Sequence, residues 1–216
     1  MLKSRKHVFW EALIITIAIF VIGLFLGMMV ETGRSSEIND FYMQSEVNLI
    51  DAMALSQISN EKGADCETLR QRNIEFADKI YEEAKLLELY EGSGKLTGSM
   101  EVLHRKYDLL RTLAWISNLN ALEECDNYNV ITYLYEYEAE DTTKRATQSV
   151  WSRILLDVKH GDENLVLIPI AVDQDLTSLD VLLEEMGITS FPAVAVNKEK
   201  VFYELETAEQ IKEFLD

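Results

Sequence analysis

From Ala12 to Val30 the chain reads ALIITIAIFVIGLFLGMMV, 19 residues without a charge. At about 1.5 Å per residue, such a helix crosses a hydrocarbon core of roughly 30 Å. A cleaved signal peptide is the rival reading, but its apolar region runs about 7 to 15 residues and ends in an A-x-A-like site. Neither feature is present, so the pattern predicts an uncleaved transmembrane anchor over 12–30 behind a tail at 1–11.

Beyond the anchor the apolar positions recur at helical spacing. Glu37 to Ser59 repeats through Ile38, Tyr42, Leu49 and Met53; Thr68 to Glu91 through Leu69, Phe76, Ala77, Ile80, Ala84 and Leu87; Ser99 to Leu122 through Leu103, Tyr107, Leu110 and Ala114, with Leu113 and Ile116 widening the stripe. The segments between them, NEKGAD at 60–65 and EGSGKLTGS at 91–99, are turn-like. Short connections join antiparallel neighbours, so residues 31–128 are predicted to form an antiparallel three-helix bundle. That topology brings the start of the second helix, at Cys66, to the same end as the close of the third, near Cys125. An even cysteine count outside the cytoplasm favours a disulfide, and Cys66 with Cys125 is the expected pair.

From Asn129 onwards the period changes. NVITYLYEY alternates, with Ile131, Tyr133, Tyr135 and Tyr137 on one face. TTKRATQSVWSRILLDVKH then reads as a helix with Val150, Ile154, Leu155 and Val158 inward, and NLVLIPIAV as a continuous apolar strand. DLTSLDVLLEEMG is a helix whose closing Gly187 suits a left-handed cap. ITSFPAVAVN, a turn at KEK, VFYELE and a final helix TAEQIKEFLD, with Thr207 and Gln210 spaced as a capping box, complete β-α-β-α-β-β-α over 129–216. Strands interleaved with helices and followed by a hairpin predict an α/β domain with a mixed sheet.

The run VDQDLTSLDVLLEEMGITSFPAVAVN resembles the thioredoxin superfamily: a strand ending in an acidic turn, a helix, a Gly-Ile pair, then a proline opening the next strand. The resemblance implies that Pro192, after Phe191, follows a cis peptide bond. Proline there opens its strand, where a missing N–H costs no ladder bond. Pro169 lies in the second strand, which the minimal form of that fold places at a sheet edge, where proline is tolerated.

The departure from the family is at the dithiol. Where its oxidoreductases carry C-x-x-C at the start of the first helix, this chain has Glu140, Asp141, Thr142 and Thr143, and no cysteine follows residue 125. Without a thiolate there is no thiol–disulfide exchange. The resemblance therefore implies a redox-inactive domain that keeps a peptide-binding surface made of Phe191, Pro192 and the loop from Glu140 to Thr143. The rival is that the proline serves only the hairpin.

Charge narrows the partners. Lys3, Arg5, Lys6 and Glu11 give the first 30 residues a net of +2, which leaves −20 on the remainder of a chain of net charge −18. Nucleic-acid binding and a polybasic grip on lipid are disfavoured. Lys3, Arg5 and Lys6 before the span, against Glu31, Glu37 and Asp40 around a lone Arg34 after it, predict a cytoplasmic N-terminus and extracytoplasmic C-terminal domains in the cell membrane. Gly23 and Gly27 form a small-xxx-small pair suited to a homodimer. His7, His104 and His160 are scattered, the calcium-like spacing of Asp173 and Asp175 lacks the rest of its loop, and neither a phosphate loop nor a nucleophile elbow occurs; no metal or cofactor is expected. Three functions remain: a binding or assembly module for an extracytoplasmic or membrane protein, a thiol–disulfide oxidoreductase component using Cys66 and Cys125, and a homodimeric spacer.

Overall fold

The apolar run does not end a helix. In a computed structural model, which describes residues 5–62, 66–91, 97–125, 128–162 and 164–215, a single helix α1 covers Arg5–Lys62. Val8–Val30 within it is long and apolar enough to cross a membrane. The Thr16 hydroxyl donates to the Ala12 carbonyl at 2.9 Å, which satisfies inside the helix the one polar side chain in the core of the run. The chain divides into two compact units, residues 1–48 and 49–216.

In the second unit, α2 (Cys66–Glu91) and α3 (Thr97–Glu124) form a hairpin. Leu69, Asn73, Ala77 and Ile80 are buried on α2, and the buried positions of α3 include Leu103, Tyr107, Leu110, Ala114, Trp115 and Leu119. Of the expected stripes, Leu69, Ala77, Ile80, Leu103, Tyr107, Leu110 and Ala114 are buried and Phe76, Ala84, Leu113 and Ile116 half-buried, while Leu87 lies outside the described side chains. Among the described residues, α2 and α3 pack on each other and on the sheet, and α3 also packs on α5 (Thr177–Met186). The sheet is thus one apolar partner of the hairpin. The stripe expected on the first helix, Ile38, Tyr42, Leu49 and Met53, lies outside the described side chains, as does most of both turns. The described apolar side chains beyond the span, Met43, Val47 and Ile50, are exposed.

The sheet has four strands, β1 (Asn129–Tyr135), β2 (Leu165–Ala171), β3 (Ala193–Val196) and β4 (Lys200–Phe202), in the order β2-β1-β3-β4. β1 and β2 are parallel; β1–β3 and β3–β4 are antiparallel. Side chains alternate across a sheet. Ile131 and Tyr133 therefore face α4 (Thr142–His160), where Trp151, Leu155 and Val158 join Val194, Val196, Phe202 and Ile211 of the C-terminal elements in one core. Val130, Thr132 and Leu134 face the other way and are equally buried, because α3 crosses that side. The strand is therefore covered on both faces.

On α4, Leu155 and Val158 are buried and Ile154 packs against the core as expected, but Val150 is 42% exposed and Trp151 is fully buried. Trp151, Leu155 and Val158 stand at i, i+4 and i+7, and the larger indole takes the core position. Asp141 caps α4, and its carboxylate accepts the Thr143 N–H at 2.7 Å. Gly187 closes α5 at φ 68°, as its left-handed position requires. Thr207 and Gln210 form a reciprocal capping box on α6 (Ala208–Lys212).

β2 is one of the two edge strands, and two positions of its outer edge are closed to pairing. Ala171 directs its N–H to the Asp108 carboxylate of α3 at 3.1 Å. Pro169, two residues earlier and so on the same hydrogen-bonding edge, has no N–H to offer.

Candidate functional site

The Phe191–Pro192 peptide bond is cis, and Pro192 stands directly before β3. Pairing of β3 with β1 stops at Leu134–Ala193, one residue short of the proline. Because that pairing is antiparallel, the start of β3 lies beside the end of β1, so Phe191, Pro192 and the β1–α4 loop share one end of the sheet. Phe191 and Pro192 are half-buried, and Glu140, Asp141, Thr142 and Thr143 are exposed. Asp141 and Thr143 carry a structural duty as the cap of α4. The N–H bond from Thr143 holds the Asp141 carboxyl below the usual carboxylate range.

The β1–α4 loop is held from two sides. The Asp173 carboxylate, in the β2–α5 loop, accepts the Tyr137 N–H at 2.9 Å and the Glu138 N–H at 2.8 Å. The Gln148 side chain, from α4, bonds both the N–H and the carbonyl of Glu136, at 3.1 and 2.9 Å. α3 braces the same end: the His104 ring lies 4.3 Å from the Tyr137 ring, and Arg105 donates to the Asp175 carbonyl at 3.2 Å. Asp173, which the sequence marks only by its calcium-like spacing with Asp175, is therefore the clasp between two loops. A carboxylate two residues past a buried strand was the available signal.

Deeper in α3 is a pair that the helical pattern did not single out. Asp108 is 1% exposed and accepts from Arg111 at 3.0 Å as well as from Ala171. Burial pushes the Asp108 carboxyl above its ordinary range, and Arg111 only partly offsets this. The sequence signal was present: a charge pair at i, i+3 between Tyr107, Leu110 and Ala114 interrupts an otherwise apolar face.

Cys66 and Cys125 are disulfide-bonded, with Cα atoms 5.5 Å apart. The bond joins the first residue of α2 to the residue after α3. Cys125 also lies four residues before β1, at that strand's N-terminal end. The loop and Phe191–Pro192 are at its C-terminal end, about 20 Å away for a seven-residue strand rising about 3.3 Å per residue. The sulfurs and the sequence-predicted peptide surface are therefore not brought together. Among the described residues, no three His, Cys, Asp or Glu side chains gather as a metal group.

Neither a protein-family model, a curated protein nor a solved structure matches this chain.

Proposed function

We propose that the chain is a single-pass membrane protein, anchored in the lipid bilayer through residues 12–30 with its N-terminus cytoplasmic, and that its extracytoplasmic part presents a thioredoxin-like domain as a binding or assembly module for a protein partner. The observation that carries this reading is the separation of thiol from site. The chain's two cysteines are bonded to each other at one end of β1, and the cis Phe191–Pro192 bond and pinned loop are at the other. The order of strands, the mixed pairing and the cis bond support the likeness in fold; the disulfide supports an oxidising compartment.

Binding rather than catalysis follows from what this end of the sheet offers. Phe191 supplies partly exposed apolar surface, and the backbone before Pro192 lies beyond the β1 ladder, so an extended partner segment has both a side-chain contact and a main-chain one. The exposed Glu138, Glu140 and Asp141 form a negative rim, which favours a segment with basic side chains beside an apolar one.

A photo-crosslinking residue at position 191, used in intact membranes, is expected to yield a discrete adduct with a protein partner. The Phe191→Asp variant is expected to lower partner capture tenfold or more, the loss expected of an aromatic anchor costing about 1.4 kcal/mol or more. Capture unchanged by Phe191→Asp removes this surface from the account.

A further inference from the structure

Along the outer edge of β2, between α2 and α4, runs a cleft of about 450 Å³. Its floor is the sheet itself: Tyr133 and Tyr135, whose rings are stacked at 5.3 Å, with Leu167 and Pro169. Among the described residues, two charged side chains line it, Lys85 and Arg111, and no carboxylate does. In a chain of net charge −18, such a lining runs against the prevailing sign.

The two cations differ in kind. Arg111 is held in place from behind, because Asp108 accepts from it while being fixed to the Ala171 N–H. A guanidinium has five N–H donors, so its bonds to Asp108 and to the Tyr135 side chain do not exhaust it. The Arg111–Asp108 pair is neutral as a unit and contributes directed donors; Lys85, exposed at the mouth, contributes the net positive charge. A volume of this size, mostly apolar walls and a few fixed polar groups are the features of small-molecule sites.

A peptide strand is a poor occupant for the same place. Adding a strand to β2 needs a row of outward main-chain donors, and two consecutive places in that row are lost, since Pro169 has none and Ala171 has given its own to Asp108. We infer that the cleft between α2, α4 and the edge of β2 binds a small organic carboxylate with an aromatic or aliphatic body, its acid group at Arg111 and Lys85 and its body over Tyr133, Leu167 and Pro169. This site is separate from the Phe191–Pro192 end and does not depend on the reading proposed for it.

The test uses the full chain in lipid nanodiscs, with empty nanodiscs as the blank, titrated calorimetrically with 1-naphthoate and with its uncharged counterpart 1-naphthamide. Naphthoate is expected to bind at least tenfold more tightly than the amide. Lys85→Glu is expected to weaken naphthoate tenfold or more and to leave the amide unchanged, and Ala84→Trp, which fills the cleft, to abolish binding of both. The contrast between acid and amide in the unaltered chain stands whether or not the Ala84→Trp variant folds. No heat with naphthoate, or equal affinity for acid and amide, overturns the proposal. So does tighter binding of acetyl-Gly-Gly-Phe with a free carboxylate, which would make the occupant a protein C-terminus.

Discussion

Replacing Cys66 and Cys125 together with serine is expected to lower the stability of the unit from 49 to 216 by about 2–5 kcal/mol while leaving capture at Phe191 intact. The bond closes a loop with a sequence separation of 59. In the chain-entropy model that constraint on the unfolded chain contributes about 4 kcal/mol. The native state adds a reason of its own, because the bond fixes the open end of the α2–α3 hairpin, and that hairpin covers one face and one edge of the sheet. Trp115 and Trp151 are both fully buried, on α3 and α4, and report unfolding by fluorescence. A denaturant midpoint unchanged by the double substitution would contradict a structural role for the bond. Loss of partner capture in a variant that remains folded would place the thiols in the function after all.

Arg111→Met is expected to cost about 3–5 kcal/mol at neutral pH, because it leaves Asp108 buried without its counter-ion. The pH dependence has a definite sign. The folded-state carboxyl of Asp108 already lies above its ordinary range through burial, and losing Arg111 raises it further. A group whose folded value is raised favours the fold when protonated and opposes it when charged, so the variant's stability falls as pH rises through that folded value. The penalty relative to the unaltered chain is therefore largest at neutral pH and shrinks on acidification. Asp108→Asn combined with Arg111→Met removes both charges but keeps an oxygen acceptor for the Ala171 N–H, and is expected to recover most of the loss. Urea unfolding of the three variants at neutral and mildly acidic pH measures all of this. A penalty independent of pH would mean that Asp108 does not carry the charge.

The elements of the C-terminal part were legible because their signals are local. The change of period at Asn129, the left-handed Gly187 and the Thr207–Gln210 box each depend on residues within one turn or strand, and each is found where the pattern puts it. The pairing of Cys66 with Cys125 was legible for another reason: two antiparallel helices return the chain to the same end. Pro169 marked an edge, and β2 is one.

What the sequence withheld is tertiary. The stripes of α2 and α3 announce that a face is buried, not what buries it, and among the described residues the sheet is a partner they share. Val130, Thr132 and Leu134 were read against an alternation with Ile131, Tyr133 and Tyr135, although their own apolar character already indicated a strand covered on both sides. Asp108 and Arg111 have charged side chains, and only their long-range contact with Ala171 separates a core pair from a solvated one. The residues placed in the position of a dithiol, Glu140 to Thr143, carry a helix cap, which shows why an acidic and hydroxyl-bearing segment suits the start of α4 regardless of any partner.

The most direct test of binding without thiol chemistry is the reduction potential of the Cys66–Cys125 bond in the full chain, obtained by differential alkylation and mass spectrometry across a defined dithiothreitol series. The account predicts a value below about −300 mV, that of a bond resistant to the glutathione pool. A value near −200 mV or higher would mark a labile pair, contradict the structural assignment, and make an oxidoreductase component the better reading.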